Sequence, residues 1–218
     1  MDLPVPLLDD VRFELAVETL TARDGHLAAV IKKHGLPPLW VRQPGFPTLV
    51  YIILEQQVSL ASARAAFRRL RTVANPLTPA RFLKLSDKQL KQVGFSRQKT
   101  LYTRLLAESL VMKYLDLNDL HDLPDDAARK FLIALKGIGA WTADIYLLSA
   151  LRRPDIWPIG DLALAVAVQE VKRLRSRPSP ERLEKLSRVW QPYRAVAARL
   201  FWHAYLSKRG QNSATISL

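Results

Sequence analysis

The residues best placed to do chemistry lie in one stretch, 135–161, which reads LKGIGAWTADIYLLSALRRPDIWPIGD. Two glycines, Gly137 and Gly139, open an apolar helical run. A Pro/Gly-containing loop then ends on a single acid, Asp161. Glycines here permit positive φ and close backbone approach. The unpaired N–H groups that start the next helix, together with its dipole, favour an anion such as a phosphate. A carboxylate held a fixed distance beyond can act on whatever that phosphate is attached to. Each feature also has a plainer reading. Tight helix–helix turns use the same Gly-x-Gly pair. Asp is a good N-cap, and LALAVAV follows Asp161 directly. The two roles of Asp161 are compatible, because a cap fixes the side chain at a loop edge. Arg152-Arg153-Pro154 adds positive charge to the same loop.

The elements that must position these groups read as helices almost throughout. Apolar residues recur at three- and four-residue spacing, and no segment sustains strand alternation. Residues 11–34 form a helical pair broken near Asp24-Gly25. Pro37, Pro38, Pro44 and Pro47 make a stiff connector. Residues 48–73 form a long helical region interrupted around Gln57–Ser59. Thr78-Pro79 and Ser86-Asp87 read as helix starts. Gly94 and Ser96 mark a turn before a helix over about 97–114. Another helix starts at Pro124-Asp125 and ends at Lys136-Gly137, a further one covers about 140–151, and the next starts at Asp161. Pro178-Ser179-Pro180 precedes a last helical region that runs to about Lys208, and the polar tail GQNSATISL is frayed. The fold class is all-α.

Composition narrows the partners. Lys and Arg number 33 against 20 Asp and Glu, a net +13, which favours a polyanion through phosphate contacts and counterion release. No apolar run reaches the roughly 18 residues a spanning helix needs. The start, MDLPVPLLDD, is acidic and Pro-rich, unlike a signal peptide. With no cysteine, disulfides, thiolate metal sites and cysteine nucleophiles are excluded. His26, His34, His121 and His203 are scattered without metal-ligand spacing, so no metal site is expected. Arg64, Arg68, Arg69 and Arg71, and the Ser96-Arg97-Gln98-Lys99 helix start, fit a polyanion-binding face or simply a solvated one.

The order LKGIGAWTAD, PIGD, WQPYRAVAARLFW resembles the helix-hairpin-helix DNA glycosylase superfamily, and within it the 3-methyladenine DNA glycosylase II branch. Its members share a Leu-Pro-Gly-Ile-Gly-x-Trp-Thr-Ala hairpin, a Gly/Pro loop ending in the catalytic Asp, and a Trp-x-Pro-[Tyr/Trp]-Arg segment. Their Ile-x-Gly-Gln-[Gln/Leu]-[Val/Ile/Leu]-Ser run is similar to residues 53–59 here, Ile53 to Ser59. The similarity covers about residues 47–205.

The resemblance implies two helical lobes flanking a DNA-binding cleft, in one interleaved domain. It implies a monofunctional enzyme that flips an alkylated purine out of double-stranded DNA and hydrolyses its N-glycosidic bond. Asp161 becomes the catalytic carboxylate. Trp141, Trp202 and Tyr193 become base-pocket residues, although Trp on a helical face usually packs in a core. Gly137, Gly139, Gln56 and Gln57 become DNA contacts, with Gln57 as the wedge that fills the gap left by the extruded nucleotide. Trp141 stands where backbone-nicking relatives place a Schiff-base lysine, and an indole cannot form that imine. No cofactor is implied beyond a monovalent cation on the hairpin carbonyls. The chain is expected to be a monomer with no membrane partner. Three departures stand out. Glu55 replaces the common Gly, Lys136 replaces the common Pro, and residues 1–46 are too short and too helical for the β-rich domain of some bacterial relatives. Alternatives with the same features are action on uracil, deaminated or oxidised bases, or damage binding without catalysis.

Overall fold

The computed structural model describes residues 7–210; the first six residues and the polar tail from 211 onward lie outside the described residues. Twelve α-helices and two 3₁₀ turns make up the described residues, with no strand among them. In chain order the helices are α1 (Asp10–Arg23), α2 (Gly25–His34), α3 (Phe46–Glu55), α4 (Leu60–Val73), α5 (Pro79–Leu83) and α6 (Asp87–Val93). They continue as α7 (Arg97–Val111), α8 (Asp125–Ile133), α9 (Ala140–Ser149), α10 (Leu162–Val171), α11 (Pro180–Ser187) and α12 (Arg194–Lys208). The all-α class is therefore as expected. Two boundaries differ from the sequence reading. Helix α7 stops at Val111, because Lys113 turns left-handed with φ 57°. Helix α8 stops at Ile133, and the turn to Gly137 is not helical.

Side-chain caps set most starts. Asp24 closes α1 and opens α2, accepting from His26 N at 3.0 Å. Ser59, Thr78, Ser96 and Ser179 each accept from the third helical N–H, and Ser86 with Gln89 forms a capping box.

The chain divides into two compact units. One is continuous, Gln43–Tyr146. The other joins the chain up to Arg42 with the chain from Leu147 onward. In the continuous unit, α3 is buried at nine of its ten positions, as a helix that is apolar all round must be. Phe82 packs between Phe46 (5.9 Å) and Phe95 (5.6 Å). A fully buried Phe of this kind stabilises by roughly 1.5–3 kcal/mol.

In the discontinuous unit, Trp190 stacks between Trp157 (5.4 Å) and Phe201 (4.9 Å). Its indole N–H donates to Asp24 Oδ2 at 2.9 Å, and Lys172 Nζ reaches the same oxygen at 2.9 Å. Burial would raise the Asp24 carboxyl, but the hydrogen bonds from Lys172 and Trp190 outweigh it and hold the group below its ordinary value. Arg199 is fully buried and donates to three carbonyls, Leu39 O (2.8 Å), Ala195 O (3.0 Å) and Leu148 O (2.8 Å). Burial pushes its guanidinium down to about 9. Helices α10 and α12 lie side by side in the same direction: Asp161 meets Trp202 at one end, and Glu170 meets Lys208 and Arg209 at the other.

Candidate functional site

The hairpin between α8 and α9 belongs to the continuous unit. Its two glycines serve different ends. Gly137 has φ +91°, and a Cβ there would fall inside the Tyr102 ring. Gly137 is thus fixed by left-handed backbone and by packing. Gly139 has no positive φ, and a Cβ there would meet nothing within 4 Å. The protein leaves that side of the turn bare.

Side chains brace the hairpin from within. Arg129 on α8 pairs with the buried Asp144 on α9 through Nε (2.6 Å) and Nη2 (3.3 Å). Gln56 Nε2 donates to Gly137 O (3.0 Å) and Thr142 Oγ1 (2.9 Å). Gln56 therefore turns its amide to the hairpin rather than to solvent. Lys99 Nζ donates to Leu54 O (2.8 Å) and Gln56 O (2.9 Å), so it caps the C-terminus of α3. Burial pushes its ammonium below the ordinary lysine value. Lys99 thus serves neither a phosphate-binding nor a solvated face, the two roles its sequence position suggests; its charge is spent inside the unit. Arg69 donates to Val93 O at 3.2 Å, and Arg68, Arg69 and Arg71 are all exposed.

Above this brace Gln57 is exposed and holds φ 57°, a left-handed backbone that suits Gly or Asn better than Gln. Val58 (46% exposed) and Leu60 (41%) follow it at the surface. Glu55 is buried at the end of α3, so it presents no surface carboxylate to DNA. Trp141 is half-buried in the first turn of α9, and Lys136 is exposed.

Asp161 belongs to the discontinuous unit and is the N-cap of α10. Its Oδ1 accepts from Leu164 N (2.6 Å) and from Trp202 Nε1 (3.2 Å). The cap reading is realised, and the side chain is fixed and only half-buried. Trp202 supplies the second donor, so its indole nitrogen serves the carboxylate while its ring is half-buried. Tyr193 is half-buried at the N-cap of α12.

The loop that delivers Asp161 is held by the WQPYR segment. Arg194 grips Asp155 through its backbone N (3.1 Å), Nε (3.0 Å) and Nη2 (2.8 Å). Ala195 N donates to Pro154 O at 3.0 Å. Sequence reasoning gave Asp155, Arg194, Asp144 and Arg129 no role. Their partners stand 39 and 15 residues away, so only the fold reveals them. A lone acid in the otherwise apolar α9, at Asp144, was the available signal. Among the described residues no group of three or more His, Asp or Glu side chains could hold a metal.

The chain belongs to the HhH-GPD superfamily of base excision DNA repair proteins, whose family model matches residues 50–192. The "Alkylbase DNA glycosidase-like protein mag2" of Schizosaccharomyces pombe is 26% identical over 211 residues, covering 93% of this chain and 99% of its own. A longer Bacillus subtilis relative is 25% identical over 82% of this chain, which spans 65% of it. Among solved structures, a DNA-3-methyladenine glycosidase from Bacillus halodurans superposes with TM-score 0.75 and 28% identity, over 91% of this chain and 92% of that one. The Schizosaccharomyces pombe 3-methyladenine DNA glycosylase Mag1, in complex with abasic DNA, shares the fold with TM-score 0.81 at 23% identity, over 89% and 96%.

Proposed function

We propose that this chain is a monofunctional DNA glycosylase that releases alkylated purines, of the 3-methyladenine type, by hydrolysing the N-glycosidic bond. The single observation that carries the chemistry is Asp161: a carboxylate fixed by two donors to one oxygen, at the mouth of a helix, in a chain of this repair superfamily. The names of the mag2 and Bacillus halodurans relatives support the substrate class.

The chemistry follows from the groups present. The bare backbone at Gly139 and the N–H groups that start α9 take a DNA phosphate. Gln57 enters the stack in place of the extruded nucleotide, carried on a turn that Gln56 and Lys99 hold rigid. Trp202 and Tyr193, in the unit that carries Asp161, and Trp141, in the hairpin unit, are each a ring whose face suits an electron-poor, cationic purine. As the base leaves, positive charge grows on the sugar, and the Asp161 carboxylate stabilises it. Asp161 also orients or deprotonates the attacking water. An alkylated purine is already a good leaving group, so no second acid is required. The product is an abasic site. A monovalent cation on the hairpin would find only backbone carbonyls there, two of which, Leu135 O and Gly137 O, already accept protein donors. No step depends on it. Lys99 is committed to two carbonyls and Trp141 cannot form an imine, so the backbone is left intact.

The test compares base release by the wild type and Asp161→Asn on methylated duplex under single-turnover conditions. Asn keeps the cap and loses the charge. Release is expected to fall about 10²–10³-fold at matched DNA affinity. Equal rates would refute the role of Asp161. A borohydride-trapped adduct with abasic DNA would refute the monofunctional reading.

A further inference from the structure

Helix α10 carries Asp161 at its N-terminal end and an arginine-rich turn at the other. The segment VKRLRSRP, residues 171–178, contains no acid. Lys172 is turned to Asp24, at 2.9 and 3.1 Å, and its charge is paired there. Arg173, Arg175 and Arg177 are exposed, and none enters an ion pair among the described residues. Of the acids nearest in sequence, Glu170 is already met by Lys208 (3.2 Å) and Arg209 (3.2 Å), and among the described residues neither Glu181 nor Glu184 pairs with these arginines. The surplus of positive charge at this end is therefore unanswered by the protein.

The backbone at this end closes as an ordinary helix terminus. Arg173 N donates to Glu170 O (3.3 Å) and Leu174 N to Gln169 O (2.9 Å). This is the paired bonding of a helix end whose left-handed residue is usually Gly. Here it is Arg173, with φ 55°. Trp40, Gln57, Lys113 and Arg152 also hold positive φ, so it is the unanswered charge and not the backbone that sets this turn apart. Lys113 holds the same conformation at the end of α7, but Glu108 and Asp116 lie close in sequence and no basic surplus arises.

We propose that the Arg173–Arg177 turn is a docking surface for the phosphates of a second segment of duplex DNA, apart from the one being repaired. Planar guanidinium groups suit phosphate, and contacts of this kind carry no sequence information. The direction rests on the placement of Asp161 at the sugar. The duplex under repair then lies off the N-terminal end of α10, and the arginines stand about 15 Å away along the helix axis. An enzyme holding two segments can pass between them without full release.

The test uses the full chain and R173N/R175S/R177S, with Asn at the left-handed position. Wild type saturated with a duplex carrying an abasic-site analogue should bind one further undamaged duplex, read by native mass spectrometry; the variant should bind none. With the repair site filled by the abasic-analogue duplex, the log of the wild-type affinity for the second duplex should fall against log salt with a slope of about 3, near 0.9 for each phosphate neutralised. Base release at saturating enzyme should be unchanged. A wild type that binds a single duplex, or a variant that keeps both the second duplex and the slope, overturns the proposal. So does a surface that takes polyglutamate in place of duplex, which would mark an acidic protein as the partner. Failure of wild-type base release on the same preparations would count against the Asp161 reading alone.

Discussion

The hairpin and the acid-bearing loop solve opposite problems. In the hairpin, side chains face inward: Arg129 to Asp144, Gln56 to Gly137 and Thr142, Lys99 to the end of α3. What is left for a ligand is bare backbone at Gly139. In the loop before α10, the scaffold is held by the Arg194–Asp155 pair and by backbone bonds, and the group proposed to react is one side chain, Asp161, itself held by hydrogen bonds. A phosphate is the same at every nucleotide, so main-chain donors suffice to hold it. A developing sugar cation needs a charge at one place, and only a side chain supplies that. Mutations in the first region should therefore strike stability and binding, and those in the second should strike the chemical step.

The largest effect is expected from Arg129→Ala, which leaves Asp144 buried and without its guanidinium. Denaturant unfolding should show a loss of about 3–5 kcal/mol, while base release at saturating DNA, below the new melting point, stays within a few fold. A rate loss without a stability loss would invert the comparison. The two glycines divide it further. Gly137→Ala should destabilise by at least about 2 kcal/mol, from left-handed strain and collision with Tyr102. Gly139→Ala should leave unfolding within about 0.5 kcal/mol and weaken DNA binding. Arg194→Lys gives up the two-pronged grip on Asp155, and base release should fall about tenfold, or about 1.4 kcal/mol of barrier, with DNA affinity kept.

The smallest effect is on pH. The folded Asp24 carboxyl lies below its ordinary value, so its contribution is complete above that value, near 3.8. The contribution is lost as pH falls through the lower folded value. The melting temperature should drop on the acid side, and Asp24→Asn should flatten that limb by roughly 2–4 °C, measured by circular dichroism.

Local chemistry made much of this legible. The break at Asp24, the caps at Thr78, Ser86 and Ser96, and the interruption at Gln57–Ser59 all follow from short polar side chains and turn residues next to the helices they bound. Asp161 could be read as a cap from its neighbours, and its second role came through resemblance. Lys99 could not be placed, because a lysine in the first turn of a helix looks solvated until α3 is packed beside it. Asp155, Arg194, Arg129 and Asp144 stayed silent for the same reason: an ion pair across a fold leaves no periodicity in sequence.

One unit is built from a single stretch of chain and the other from two separate stretches. A ribosome delivers residues from the N-terminus onward, and domains fold as their parts emerge. The hairpin and everything bracing it are complete once Tyr146 is out. Helices α1 and α2, made first, must wait for α12, because Arg199 ties Leu39 to the last helix. The growing chain thus completes the hairpin before it can fix the acid proposed to do the chemistry.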